Sequence, residues 1–126
     1  MARWLLLVLV LPLWLAGTSC TTCEDLKEEA RALRDGAAFC EAGDTCTIVS
    51  MYDMAGANNC LGAFQCGHAL NADTDLDSFS KKAKAIADDF NDGCNECTMA
   101  GCVDSTTLTA FCDLDTHTCA VDDTTR

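Results

Sequence analysis

The chain has 126 residues, a formal net charge of −12 and 11 cysteines. The length suits one domain and excludes a multidomain enzyme, and the acidic balance disfavours nucleic acid and anionic bilayers as direct partners. Both tryptophans and the only proline fall within residues 1–19, and cysteine at this density is the composition of a disulfide scaffold.

Residues 1–19 read as a secretory signal. Arg3 is the single charge of a short n-region, residues 4–15 form an apolar run broken only by Pro12, and Ala16, Gly17, Thr18 and Ser19 supply the small residues of a cleavage region. A membrane-spanning helix needs about 20 apolar residues, so this run is too short to span. Thr18, Ser19 and Cys20 match the last three positions of the lipobox of bacterial lipoproteins, with Gly17 where that family usually carries leucine. The resemblance implies acylation of Cys20. Parity points the same way: 11 cysteines cannot all pair internally, and setting Cys20 aside leaves an even set. The alternative is ordinary cleavage near Gly17 or Ser19, with Cys20 free or paired to Cys23.

Residues 20–126 are expected to form a single disulfide-braced domain with flexible ends near 20–22 and 122–126. A first helix is predicted over 23–35. Thr21 or Thr22 with Glu24 or Asp25 makes a capping box, and Leu26, Ala30, Leu33 and Ala37 recur on one helical face that Cys23 shares. Gly36 supplies the stop, and Arg31 and Arg34 near the end complement the helix dipole. Strands are predicted over 45–52, centred on β-branched Thr47, Ile48 and Val49, and over 64–71, where Phe64, Cys66, His68 and Leu70 alternate on one face. Residues 53–62 between them read as a loop. A second helix over 78–92 carries Phe79, Ala83, Ile86 and Phe90 at the same spacing. Asp75, Asp77 or Ser78 caps it and Gly93 ends it. Lys81, Lys82 and Lys84 lie off its apolar stripe, as a solvated face. The chain closes in a hairpin of 106–112 and 117–121. The predicted class is α+β: two amphipathic helices on a small, mainly antiparallel sheet, disulfide-rich. Chains of this size bury only about 65% of their surface, so crosslinks at about 2–4 kcal/mol each decide whether such a domain folds.

The candidate disulfide residues are Cys23, Cys40, Cys46, Cys60, Cys66, Cys94, Cys97, Cys102, Cys112 and Cys119. Ten cysteines allow on the order of a thousand pairings. Cys112 with Cys119 is the favoured pair, because both sit equally far from the centre of the hairpin loop. Cys40 with Cys46 and Cys60 with Cys66 are possible loop closures, and Cys23 is expected to pin the first helix to a distant segment. A redox reading of Cys94 and Cys97 fails on electrostatics. The pair follows a helix C-terminus, and Asp92 and Glu96 surround it, so every neighbour raises the thiol pKa.

Other chemistry is thin. Cys66, His68, Cys94, Cys97, His117 and Cys119 could be arranged into a zinc site, but no standard ligand spacing appears. Asp73, Asp75 and Asp77 offer hard oxygens for an irregular calcium site. An EF-hand is excluded because Ser78 and Lys84 occupy the positions that need glycine and glutamate, and the favoured reading of these aspartates is as caps of the second helix. Ser50, Ser78, Ser80 and Ser105 lack a glycine elbow, so no catalytic constellation and no cofactor are expected.

The size, alanine content and cysteine spacing resemble small cysteine-rich exported lipoproteins of myxobacteria-like Gram-negative bacteria. The resemblance is carried by the signal, the two amphipathic helices between cysteine-bearing strands, and the terminal hairpin with Cys112 and Cys119. It implies a location and no assigned activity: outer membrane or cell surface as a lipoprotein, otherwise periplasmic or secreted. The expected function is an exported, lipid-anchored, disulfide-stabilised envelope protein with a structural or interaction role. Its partners would be a lipid bilayer, through the acyl anchor at Cys20, and a protein. The alternatives are a secreted effector or inhibitor acting through an exposed loop at 53–62, and an irregular calcium- or zinc-binding protein.

Overall fold

The computed structural model describes residues 21–99 and 101–123. Residues 1–20, among them the segment expected to be a signal and Cys20, lie outside them, as do residues 100 and 124–126. The element order is α1 (Cys23–Ala37), β1 (Cys46–Ser50), α2 (Met51–Ala55), β2 (Gly67–Asn71), α3 (Leu76–Gly93), β3 (Leu108–Asp113) and β4 (Thr118–Asp123). The class is α+β and disulfide-rich, as the composition and patterning imply.

Both long helices form where the 3.6-residue period places them. Thr22 caps α1: its Oγ1 accepts from the Asp25 amide at 3.1 Å, and Asp25 Oδ2 accepts from the Thr22 amide at 3.1 Å. Gly36 does not stop this helix. The backbone continues to Ala37, and the Ala38 amide closes the last turn on the carbonyls of Arg34 and Asp35. Asp75 caps α3, with Oδ1 accepting from the Ser78 amide at 3.2 Å, so the helix opens at Leu76, earlier than the apolar stripe suggests.

β1 and β2 are shorter than expected, for local reasons. β1 ends at Ser50 because the Ser50 hydroxyl accepts from the Asp53 amide at 3.4 Å and starts the short helix α2. The segment 53–62 therefore begins as helix. Gly56 ends α2 at a φ of 104°, a left-handed conformation suited to glycine. β2 begins only at Gly67, since Gly62–Phe64 is a 3-10 turn and Cys66 takes a φ of 65°. That left-handed residue breaks the alternation expected from Phe64 onwards.

The sheet is not continuous. β1 pairs antiparallel with β2, from Cys46↔Asn71 to Ser50↔Gly67, and β3 pairs antiparallel with β4, from Leu108↔Asp123 to Asp113↔Thr118. The two ribbons pack on one another. The outer edge of β4 is covered by residues 38–40: the Cys119 amide donates to Ala38 at 2.7 Å, and the Cys40 amide donates to His117 at 3.0 Å. A two-stranded ribbon is marginal alone. Stability comes from the layer beneath, where Leu26 and Ala30 of α1 meet Phe79, Ala83, Ile86 and Phe90 of α3, with Met51, Leu61, Phe64 and Leu70 filling the space between. Phe64 and Phe79 meet edge to face at 6.3 Å.

Five disulfides fasten this core: Cys23–Cys94, Cys40–Cys112, Cys46–Cys119, Cys60–Cys97 and Cys66–Cys102. Cys23 does pin α1 to a distant segment. The favoured pair is corrected. Cys112 and Cys119 face one another across the terminal hairpin, as their spacing implies, but each bonds to a different segment laid over that hairpin. The local closures Cys40–Cys46 and Cys60–Cys66 are likewise not made. Long-range bonds constrain the unfolded chain more. A loop of 73 residues is worth about 2 kcal/mol more than the short hairpin loop in the chain-entropy picture.

Non-reducing digestion with mass spectrometry is expected to recover peptides joining Cys40 to Cys112 and Cys46 to Cys119. A dominant Cys112–Cys119 peptide would contradict this arrangement. The double variant Cys23→Ser with Cys94→Ser should lose about 4 kcal/mol of unfolding free energy in urea titration, because its loop spans 71 residues.

Candidate functional site

The inward stripe of α1 is Leu26, Ala30 and Leu33. One position further round the helix lie Lys27, Arg31 and Arg34, again at i, i+4 and i+7, so the three cations form a row bordering the buried face. That row overhangs a cleft of about 460 Å³. The opposite wall is Cys60, Leu61, Gly62, Ala63 and Gln65, Phe90 of α3 closes the floor, and Glu96 and Thr98 stand at the rim. The volume is in the range of small-ligand sites.

The wall is held firmly. The Asn59 side-chain amide donates to the carbonyls of Gly56 at 2.6 Å and Phe64 at 3.1 Å, and the Gln65 amide donates to Thr98 at 2.9 Å. The Cys60 amide donates to Asn91 Oδ1 of α3 at 3.1 Å. The Cys60–Cys97 bond joins the wall to the rim, and Cys23–Cys94 holds the start of α1 beside the same segment. The cleft is therefore built between covalently tethered surfaces.

Its electrostatics oppose those of the chain. Only 8 residues are Lys or Arg against 20 Asp or Glu, yet three cations and one carboxylate line this cleft. Lys27 and Glu96 are bonded to one another, and Lys27 also donates to Glu24 at 3.0 Å. Glu96 first and then Glu24 hold the Lys27 ammonium above its ordinary pKa. Arg34 engages Asp35 through Nε at 3.2 Å. Arg31 has no carboxylate partner among the described residues. At physiological salt, charges beyond about 8 Å are largely screened, so the cations and the carboxylates they contact, more than the net charge of the chain, govern what approaches the cleft.

The residues singled out from sequence are dispersed. Asp75 caps α3, the Asp73 amide is turned onto Asn71 Oδ1 at 2.9 Å, and Asp77 sits in the first turn of α3. These aspartates do not converge. Cys66, Cys94, Cys97 and Cys119 are each bonded to a different sulfur partner. Among the described residues the one group with three ligand atoms drawn together is Cys40, Cys46 and Cys119, whose sulfurs lie within 4.8 Å of one another as two adjacent disulfides. Lys81, Lys82 and Lys84 form an exposed face of α3. In the segment 53–62, Asp53, Ala57, Asn58 and Gly62 are exposed, while Ala55, Asn59 and Leu61 are buried. Cys20 lies outside the described residues. Sequence reasoning assigned Arg31 and Arg34 to the helix dipole and missed their alignment with Lys27, although three cations at helical spacing in so acidic a chain were the available signal.

No family model, curated protein or solved structure shows significant similarity to this chain. No described helix is long and apolar enough to cross a membrane.

His68 is half-buried on β2, with Nδ1 3.3 Å from the Ala69 carbonyl. Desolvation pushes its pKa below the ordinary 6.5; the Ala69 carbonyl and Asp35 oppose this and the Arg34 charge adds to it. The unfolded ring therefore takes up a proton before the folded one, and stability falls as pH drops below 6.5. Thermal melts across this window are expected to show a shallower acid loss for His68→Gln than for the parent chain.

Proposed function

We propose that the protein is an exported, disulfide-stabilised envelope protein, held on a membrane by lipid at Cys20, whose folded domain has an interaction role. The observation that carries this reading is the covalent frame. All ten described cysteines are paired in five disulfides, a state that belongs to an oxidising compartment. That pairing leaves Cys20 as the odd cysteine of the 11, at the end of a segment patterned as an export signal. α1 begins at Cys23, so an acylated Cys20 would hold the domain close to the bilayer. A single chain gives marginal attachment and stable anchoring takes two; an anionic domain adds no attraction of its own to an anionic surface.

Intact mass spectrometry of the exported protein, before and after reduction, tests the proposal. The expected result is an N-terminus at Cys20 carrying acyl mass, and a gain of about 10 Da on reduction as five disulfides take up hydrogen. A mature chain without acyl mass overturns the anchor, and one with unchanged mass on reduction overturns the export reading.

A further inference from the structure

We infer that the cleft between α1 and residues 60–65 is a binding site for a small amphipathic carboxylate, with Arg31 and Arg34 receiving the carboxylate and the apolar body lying along Ala63 toward Leu61 and Phe90. The inference rests on the interaction role proposed above and is independent of lipid at Cys20.

Three features carry it. The first is charge. Glu96 is taken up by Lys27, so it does not offset Arg31, and three of the four charged residues lining the cleft are cations in a chain of net −12. Arg31 has no ion-pair partner among the described residues, and Arg34 commits only Nε to Asp35. The second is geometry. Positions 31 and 34 are neighbours on one helix face, and the planar guanidinium matches a carboxylate with two parallel donors. The third is the lining. Beyond the charged side chains the lining is mainly apolar, made of Cys60, Ala63 and the closed floor of Leu61 and Phe90, with Gln65 and Thr98 as its polar members. A free inorganic anion would use only the mouth of a space of about 460 Å³. An apolar acid uses both parts, and a neutral apolar molecule would leave the arginines unengaged.

The disulfides give the site fixed walls, which limits the ordering cost of binding. Gly62 offers a clean way to close it. A Cβ built there meets no atom within 4 Å and the residue is not in the left-handed region, so a side chain can be added at this point of the cleft wall without a clash at Cβ.

The test is isothermal titration of the exported, oxidised protein with decanoate, decanol and acetate as probes. Decanoate is expected to bind saturably at one site, at least about tenfold more tightly than either decanol or acetate, since each control removes one of the two recognised parts. Arg31→Gln combined with Arg34→Gln should weaken decanoate binding at least about tenfold, and Gly62→Phe should do the same with all cations in place. Both variants should keep the parent's far-ultraviolet dichroism. Absence of saturable heat with about 1 mM decanoate, or equal binding by the parent, the arginine variant and Gly62→Phe, overturns the inference. The mass measurement on Cys20 is unaffected by either result, so failure of the ligand site and failure of the anchor are separately visible.

Discussion

Sulfur–sulfur bonds join surfaces that hydrogen bonding leaves separate. The two strand ribbons share no ladder, yet Cys46 of β1 is bonded to Cys119 of β4. The apolar layer beneath is real but narrow. Its largest buried side chains are Phe64, Phe90, Met51, Leu61 and Leu70, too few to fix two ribbons and three helices by area alone. Crosslinks that remove unfolded-state freedom supply what burial does not. Every other feature, including the position of α1 over the 60–65 wall, inherits its precision from them.

The same frame explains how one helix serves two purposes. The stripe at Leu26 and Ala30 faces inward, and the row one step round carries Lys27, Arg31 and Arg34. An amphipathic helix normally leaves such a boundary row to solvent. Here the Cys60–Cys97 bond raises a wall opposite it, and a boundary row becomes one side of a cleft. Position, more than residue type, makes these cations distinctive.

Much of the fold was legible because it is periodic. Most buried positions of α1 and α3 follow from spacing, Ala87 excepted, and the caps Thr22 and Asp75 are among those that residue type offered. What could not be read depended on single backbone states or on distant neighbours. Cys66 in a left-handed conformation delays β2, and nothing in an apolar–polar alternation encodes that choice. Ser50 with Asp53 carried a readable cap, but the β-branched run before it masked the start of α2. The hairpin register was accessible locally, so Cys112 opposite Cys119 was correct as geometry and incorrect as chemistry. The cleft needed the tertiary wall, and no helix-level argument could place it.

The order of the bonds along the chain bears on how the molecule comes to be made. Cys23, Cys40, Cys46, Cys60 and Cys66 each bond to a member of the set Cys94, Cys97, Cys102, Cys112 and Cys119, with α3 lying between the two sets. Translation proceeds from the N-terminus, so five thiols emerge before any native mate exists. Oxidation at that stage can join them only to one another or to Cys20, and rescue then requires thiolate exchange. Native pairing is thus a late event, which can be completed only once the chain has been made as far as Cys119.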